Sequence, residues 1–265
     1  MLTKKVSLEC LSFIQEILFY ALFMSFTVSF IFVLFQHLLY HKCRERDGIM
    51  NLENLQRIQK ELPAHVTLIA VSKTRTKEEI DEAFAAGCSI FGENKVQEIT
   101  AKYDERYHWH MIGHLQRNKV KQVLPYVDMI QSLDSLPLAK EIEKQAGKLE
   151  KTIPVLVEVN ISQEENKTGL LKEDVLSFIE TCKKDFPHID IQGLMCVGPN
   201  TDDQKHIEDC FEQVHQLFLQ AQDLYGDSIR WLSMGMSADW KLAVAHGSNM
   251  VRIGSDIFGP RNYNK

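Results

Sequence analysis

From residue 50 onward the chain alternates between two textures. Short runs rich in Val and Ile are followed by longer stretches whose apolar residues recur at helical spacing. A first helix is expected over Asn51–Glu61. The predicted strands are Thr67–Ser72, Ser89–Gly92, His108–Gly113, Met129–Ser132, Pro154–Asn160, Asp190–Val197, Ile229–Ser233 and Met250–Ile253. The helices between them are expected over Thr76–Ala86, then on to Tyr103, and over Gln116–Leu124, Leu136–Leu149, Leu171–Lys183, Asp202–Tyr225 and Ala238–His246. Eight strand–helix repeats in about 210 residues are the arithmetic of a (β/α)8 TIM-type barrel. A doubly wound open sheet carries fewer strands, and no G-x-G-x-x-G follows the first one.

Upstream the pattern breaks. No charged residue occurs from Ile17 to Phe35, a length that reaches the ~18 residues of a membrane span. No small-residue cleavage site follows it. Two readings of this hydrophobic extension, residues 1–48, stand side by side. One is a single-span anchor over 17–36; the other is a translated upstream stretch ahead of a native start at Met50. In the first, Lys42, Arg44 and Arg46 place the downstream side in the cytoplasm. The barrel over 49–265 is expected to be cytoplasmic on either reading, and membrane contact follows only from the first.

Composition narrows the function classes. The net charge is -6 and no basic block occurs, so nucleic acid is not an expected partner. The six cysteines are scattered without a CxxC pair, which points to reduced thiols and away from metal or redox chemistry.

In barrels of this kind the active site sits at the C-terminal ends of the strands. The first strand delivers Lys73 to that face. A lysine at a barrel mouth beside an apolar strand is partly desolvated, which favours the neutral, nucleophilic amine that forms Schiff bases. Taken alone, Lys73 reads more simply as a surface lysine at a strand end. Two Gly/Ser loops change the balance, Ser233 to Ser237 after strand seven and Arg252 to Ser255 after strand eight. Barrel phosphate sites form after those two strands. Ser233, Gly235, Ser237, Gly254 and Ser255 are the candidates, since glycine admits the backbone and N–H and hydroxyl groups hold an oxyanion. Ser237 also reads as the cap of the helix at Ala238. Arg252 has two partners open to it, a phosphate or a ring nitrogen. Arginine stays protonated, so beside a ring nitrogen it donates and disfavours protonation there. That suits tight holding of pyridoxal phosphate better than general carbanion chemistry.

Softer candidates surround these. Asn94 is placed to orient Lys73 or bind a ring hydroxyl, or to cap the next helix. His114 is the better mouth histidine, and His110 reads as a core residue. Spacing places no third metal ligand beside them, so no metal is expected. Glu158 and Asn160 share one face of strand five. Met195 packs under a ring. Asp202 and Asp203 start a helix.

These residues fall into segments that resemble one known family. They are Ala70–Thr74, Phe91–Asn94 with Val96–Glu98, Trp109–Gln116 with Asn118 and Lys119, and Ser132–Ser135. They continue with Val159–Ser162 with Lys167 and Gly169, Gly193–Met195, Leu232–Ser237 with Asp239, Val251–Gly254 and Ile257–Gly259. Together they resemble, in order and over essentially all of residues 50–265, the pyridoxal phosphate homeostasis protein family, also called the proline synthetase co-transcribed homologue family. The resemblance implies a barrel like the N-terminal domain of alanine racemase, with pyridoxal phosphate as cofactor in a Schiff base on Lys73. It implies the ring nitrogen near Arg252 and the phosphate near Ser237, Gly254 and Ser255. It implies a carrier or regulator of the cofactor pool, tied to amino- and keto-acid balance, with apo forms of pyridoxal phosphate enzymes as partners and no turnover reaction. Two departures stand out. Arg117 replaces a small polar residue, and Asn249 replaces a Thr, which puts a phosphate-side contact in doubt.

Two other functions compete. An amino acid racemase needs a second base on the opposite ring face, which in the alanine racemase pattern comes from a further β domain, and the chain ends at Lys265. A cofactor-free Schiff-base aldolase explains Lys73 and the phosphate loops but leaves Arg252 without a role. A monomer or weak dimer is expected, since no dimerisation stripe is evident.

Overall fold

A computed structural model describes residues 51–162 and 168–260. The hydrophobic extension, with its predicted span, lies outside the described residues, as does Lys167. Helix α1 (Leu52–Glu61) precedes the first strand. The elements then run β1 (Thr67–Val71), α2 (Lys77–Ala85), β2 (Ile90–Glu93), α3 (Val96–Lys102), β3 (His108–Met111), α4 (Val120–Val123) and β4 (Met129–Leu133). They continue α5 (Leu136–Lys148), β5 (Ile153–Val159), α6 (Val175–Asp185), β6 (Ile189–Cys196), α7 (Gln204–Tyr225), β7 (Trp231–Ser233), α8 (Trp240–Ala245), β8 (Met250–Ile253) and α9 (Ser255–Phe258). The eight strands form a closed barrel in chain order. Closure is a parallel pairing of β1 with β8, Thr67 opposite Met250 through Ala70 opposite Ile253.

Side-chain alternation along the strands sorts residues into two environments. Outward-facing residues such as Ala70, Trp109, Ile130, Val155, Leu194 and Val251 pack under the helices in one large core. Inward-facing Ile69, Met129, Leu156, Met195 and Met250 form a small cluster inside the barrel. The inner apolar cluster is small because other inward positions are polar. His110, Gln131, Ser233 and Arg252 are all buried there.

Three predicted helices differ from those observed. The stretch after β3 breaks into a 3-10 turn (Arg117–Lys119), the single turn of α4 and a second 3-10 turn (Leu124–Tyr126). Pro125 supplies no N–H, so a regular helix cannot run through it. The predicted helix at Leu171 opens as a 3-10 turn over Lys172–Asp174 before α6 begins. Helix α8 starts at Trp240, later than Ala238, with Asp239 at its N-cap position, and its carboxylate accepts the Met236 N–H at 2.6 Å. Asp203 caps α7 through the His206 N–H. No helix among the described residues is long and apolar enough to cross a membrane.

Candidate functional site

A cavity of about 400 Å³ opens at the C-terminal ends of β1, β8 and the β7–α8 loop. Lys73, Asn94, Ser237, Arg252, Gly254 and Ser255 line it together. Lys73 reaches this place because β1 ends at Val71 and the next two residues carry the chain over the rim. The lysine is half-buried there. Val71, Ile112 and Val197 supply apolar wall. Gly254 leaves room for close packing, since a Cβ there would stand a tight 3.2 Å from the Val71 carbonyl oxygen. Ser237 Oγ accepts the Gly254 N–H at 3.3 Å, which joins the two Gly/Ser loops. That bond, with α8 beginning later, removes Ser237 from the capping role expected of it.

Arg252 is inside the barrel because its neighbours Val251 and Ile253 point outward into the main core. Its Nη1 donates to the Ser233 carbonyl oxygen at 2.9 Å and to Ser233 Oγ at 2.7 Å. Its Nη2 donates to the Cys196 carbonyl oxygen at 2.8 Å. Burial pushes its pKa down, yet a guanidinium stays charged in proteins. No carboxylate forms a salt bridge with it among the described residues. A buried cation held only by carbonyl and hydroxyl dipoles is costly, and a five-donor group with three bonds made keeps N–H donors for a ligand.

Behind Arg252 runs a directional chain. Ser233 Oγ donates to Gln131 Oε1 at 2.7 Å, and Gln131 Nε2 stands 2.9 Å from His110 Nδ1. Burial pushes His110 down to about 3, so the ring is neutral and Nδ1 accepts. Ser233 therefore touches Arg252 and Gln131 inside the barrel rather than the cavity. Met195 is wholly buried in the inner cluster and is not among the cavity walls. Gly235 serves packing. Its φ is +95°, and a Cβ would come within 2.6 Å of the Ala243 Cβ.

His114 is not brought to the cavity. It is exposed, pairs with Asp134 at 3.0 Å and lines a separate recess with Arg117 and Lys140. It lies beyond the end of β3, on a loop whose course the sequence does not encode by periodicity. Asn249 does not line the cavity either. It stands just before β8, at the end of the barrel opposite the mouth. There its amide bridges the Leu232 N–H at 2.7 Å and the Arg230 carbonyl at 2.7 Å. The role it has here is strand-joining, away from the cavity. Asn94 does not cap α3, whose N-cap position is Lys95 without a side-chain bond. Glu158 accepts from Thr168 Oγ1 at 2.7 Å and is held above the usual carboxylate range by burial. No cluster of three His, Cys, Asp or Glu suited to a metal occurs among the described residues.

Sequence reasoning missed Arg75, which also lines the cavity while pairing with Glu79 at 3.3 Å. It missed too the ionic cluster of Glu93, Glu98 and Lys102 beside Lys73. The acidic residues stood in the motif Phe91–Glu98, but no pattern tied Lys102 to them.

The donor set, the small-residue loops and the lysine amine suit a flat phosphorylated aldehyde. Comparisons with known proteins agree. The family model for the alanine racemase N-terminal domain matches residues 52–262. A pyridoxal phosphate homeostasis protein of Pasteurella multocida is 38% identical over 222 residues, covering 81% of this chain and 95% of its own. One from Helicobacter pylori is 42% identical over 202 residues, covering 73% and 87%. The structure of PipY from Synechococcus elongatus with pyridoxal phosphate bound superposes with a TM-score of 0.72 at 33% identity, covering 78% of this chain and 99% of that one. The chain belongs to the pyridoxal phosphate homeostasis protein family, built on the alanine racemase N-terminal-domain fold.

Proposed function

We propose that the barrel over residues 49–265 binds pyridoxal 5′-phosphate, attached through the Lys73 amine, and serves cofactor homeostasis and amino- and keto-acid balance in the cytoplasm. The observation that carries this reading is the cavity wall. It sets one amine, Lys73, and one buried guanidinium, Arg252, around a pocket closed by Ser237, Gly254 and Ser255. The PipY structure with pyridoxal phosphate bound and the names of the relatives support it.

When bound, the cofactor supplies an aldehyde open to an amine and a ring able to withdraw electrons. Each lining residue then has a role. Lys73 is the nucleophile, losing its proton to become reactive. Arg252 donates an N–H toward the ring nitrogen and keeps it unprotonated, which restrains proton abstraction and favours holding over turnover. The Ser237 and Ser255 hydroxyls and the backbone at Gly254 receive the phosphate. Asn94 receives the ring hydroxyl, while Val71, Ile112 and Val197 exclude water. Apo forms of pyridoxal phosphate enzymes are the natural acceptors of cofactor released from such a site.

The test is the near-visible spectrum of the purified full chain, with and without Lys73→Ala, before and after borohydride. A yellow, reducible band is expected in the wild type and none in the variant. A wild type that stays colourless with added pyridoxal phosphate would sink the reading.

A further inference from the structure

The cavity leaves a buried ionic cluster unexplained. Lys102 Nζ donates to Glu93 Oε1 at 2.9 Å, to Glu98 Oε2 at 2.8 Å and to the Ser72 carbonyl oxygen at 3.0 Å. Ser72 Oγ donates to the same Glu93 oxygen at 2.7 Å. Glu98 Oε2 also accepts the Thr74 N–H at 2.6 Å. The residues immediately before and after Lys73 are therefore tied to one ammonium–carboxylate knot, contributed by the end of β2 and by α3.

Two features separate this knot from ordinary structural ion pairs. The first is burial. The Glu93 side chain is 0% exposed and Lys102 12%, and Glu93 Oε2 has no partner. Buried ion pairs are weak stabilisers, because desolvation offsets their attraction. Burial also pushes the Glu93 carboxyl up to about 7, against the pull of Lys102. The second is strain. Thr74 has φ +66°, a left-handed conformation that a β-branched residue rarely adopts. Such conformations persist only where the surroundings over-determine them, and they gather at functional sites. Here the over-determining contact is the Glu98 carboxylate on the Thr74 N–H.

We propose that Lys102, Glu98 and Glu93 are positioning residues for Lys73, fixing the Ser72–Thr74 backbone so that the lysine side chain enters the cavity. The inference rests on Lys73 as the attachment point. The step it serves is a condensation. The amine nitrogen bonds to the aldehyde carbon, the carbonyl oxygen leaves as one water with the two amine protons, and nothing is oxidised or reduced. Positioning acts on the approach of nitrogen to carbon. It does not act on the contacts that hold ring and phosphate.

Two probes separate those effects. Pyridoxal 5′-phosphate can be captured by Lys73 and trapped by borohydride. Pyridoxine 5′-phosphate carries an alcohol instead of the aldehyde and reports binding alone. The full chain, freed of carbonyl ligands with hydroxylamine, is compared with Lys102→Met and Glu98→Gln, folding being checked by circular dichroism. Both variants are expected to bind pyridoxine 5′-phosphate as the wild type does. Their rate of trappable capture at Lys73 is expected to fall about tenfold to a hundredfold, the cost of misplacing a reacting group by roughly an ångström. Lys102→Arg, which keeps a buried donor cation, should recover part of the rate. Capture at the wild-type rate in either folded variant overturns the proposal, as does an equal loss of both probes. Should Lys102→Met not fold, Glu98→Gln decides alone, since it keeps an acceptor for Thr74 but removes one of the two carboxylate charges that hold Lys102. A wild type that leaves no reduced adduct on Lys73 overturns the attachment reading instead, so the two failures are distinct.

Discussion

Arg252 illustrates what a single residue can and cannot announce. Its chemistry, an always-charged fork of donors, is legible from the letter alone. Its inward direction follows from the alternation Val251, Arg252, Ile253. Its partners do not follow, because Ser233, Cys196 and the Gln131–His110 relay come from four other strands. The relay makes its own prediction. His110 is buried and held down to about 3 from an ordinary 6.5, so the unfolded chain takes up a proton at this residue first as the pH falls. The stability His110 contributes is therefore fully present above pH 6.5 and is lost progressively toward pH 3, at no more than ~1.4 kcal/mol per pH unit. Denaturant unfolding at a series of pH values should show His110→Asn, whose amide oxygen can accept in place of Nδ1, losing less stability than the wild type across that window. Parallel curves would mean that His110 is not the group titrating.

At the scale of elements, most strands stand where the apolar runs put them, within a residue or two. The exceptions have local causes. β7 covers only Trp231–Ser233 of the predicted Ile229–Ser233, and follows a 3-10 turn over Gly226–Ser228. The β5–β6 pairing carries a bulge that no pattern foretold. Val155 faces Ile191, but the next residue, Leu156, faces Gly193, so Gln192 is left without a partner in β5. Gly193 takes φ +154°, and a Cβ there would overlap the backbone of Trp231 in β7. Gly193→Ala should therefore open the β6–β7 seam beneath Arg252. Urea unfolding should show a loss of more than ~3 kcal/mol, since strain at a special backbone position and broken pairing act together. A change within ~0.5 kcal/mol would show that the close approach can relax.

For the barrel as a whole, closure buries the helix-facing side chains in one large core, and the cysteines among the described residues go with them. Cys88, Cys182 and Cys196 are buried, and burial pushes each thiol up to about 12. A thiol that scarcely ionises is a poor nucleophile. Labelling of the native chain with an alkylating reagent, followed by peptide mapping, should leave these three unmodified until denaturant is added. Early labelling at Cys196 in particular would reveal opening of the barrel at β6, next to the carbonyl that holds Arg252.

The sequence by itself determined the repeat, the eight strands and the end of the barrel on which the candidate residues gather, because hydrophobic periodicity is a local property read along one chain. It also singled out Lys73, Ser237, Arg252, Gly254 and Ser255, since their strand-end positions follow from the same count. Only the tertiary structure decided which of them meet. Closure of β8 on β1 puts Arg252 beside the Lys73 loop, although 179 positions separate them in the chain. Loop paths carry no periodic signal, so the loop after β3 took His114 to a separate recess. The Glu93–Lys102–Glu98 knot around Lys73 belongs to the same class. Its members are ordinary charged residues of a strand end and a helix, and their meaning arises only where burial removes water and leaves the carboxylates and the ammonium to one another.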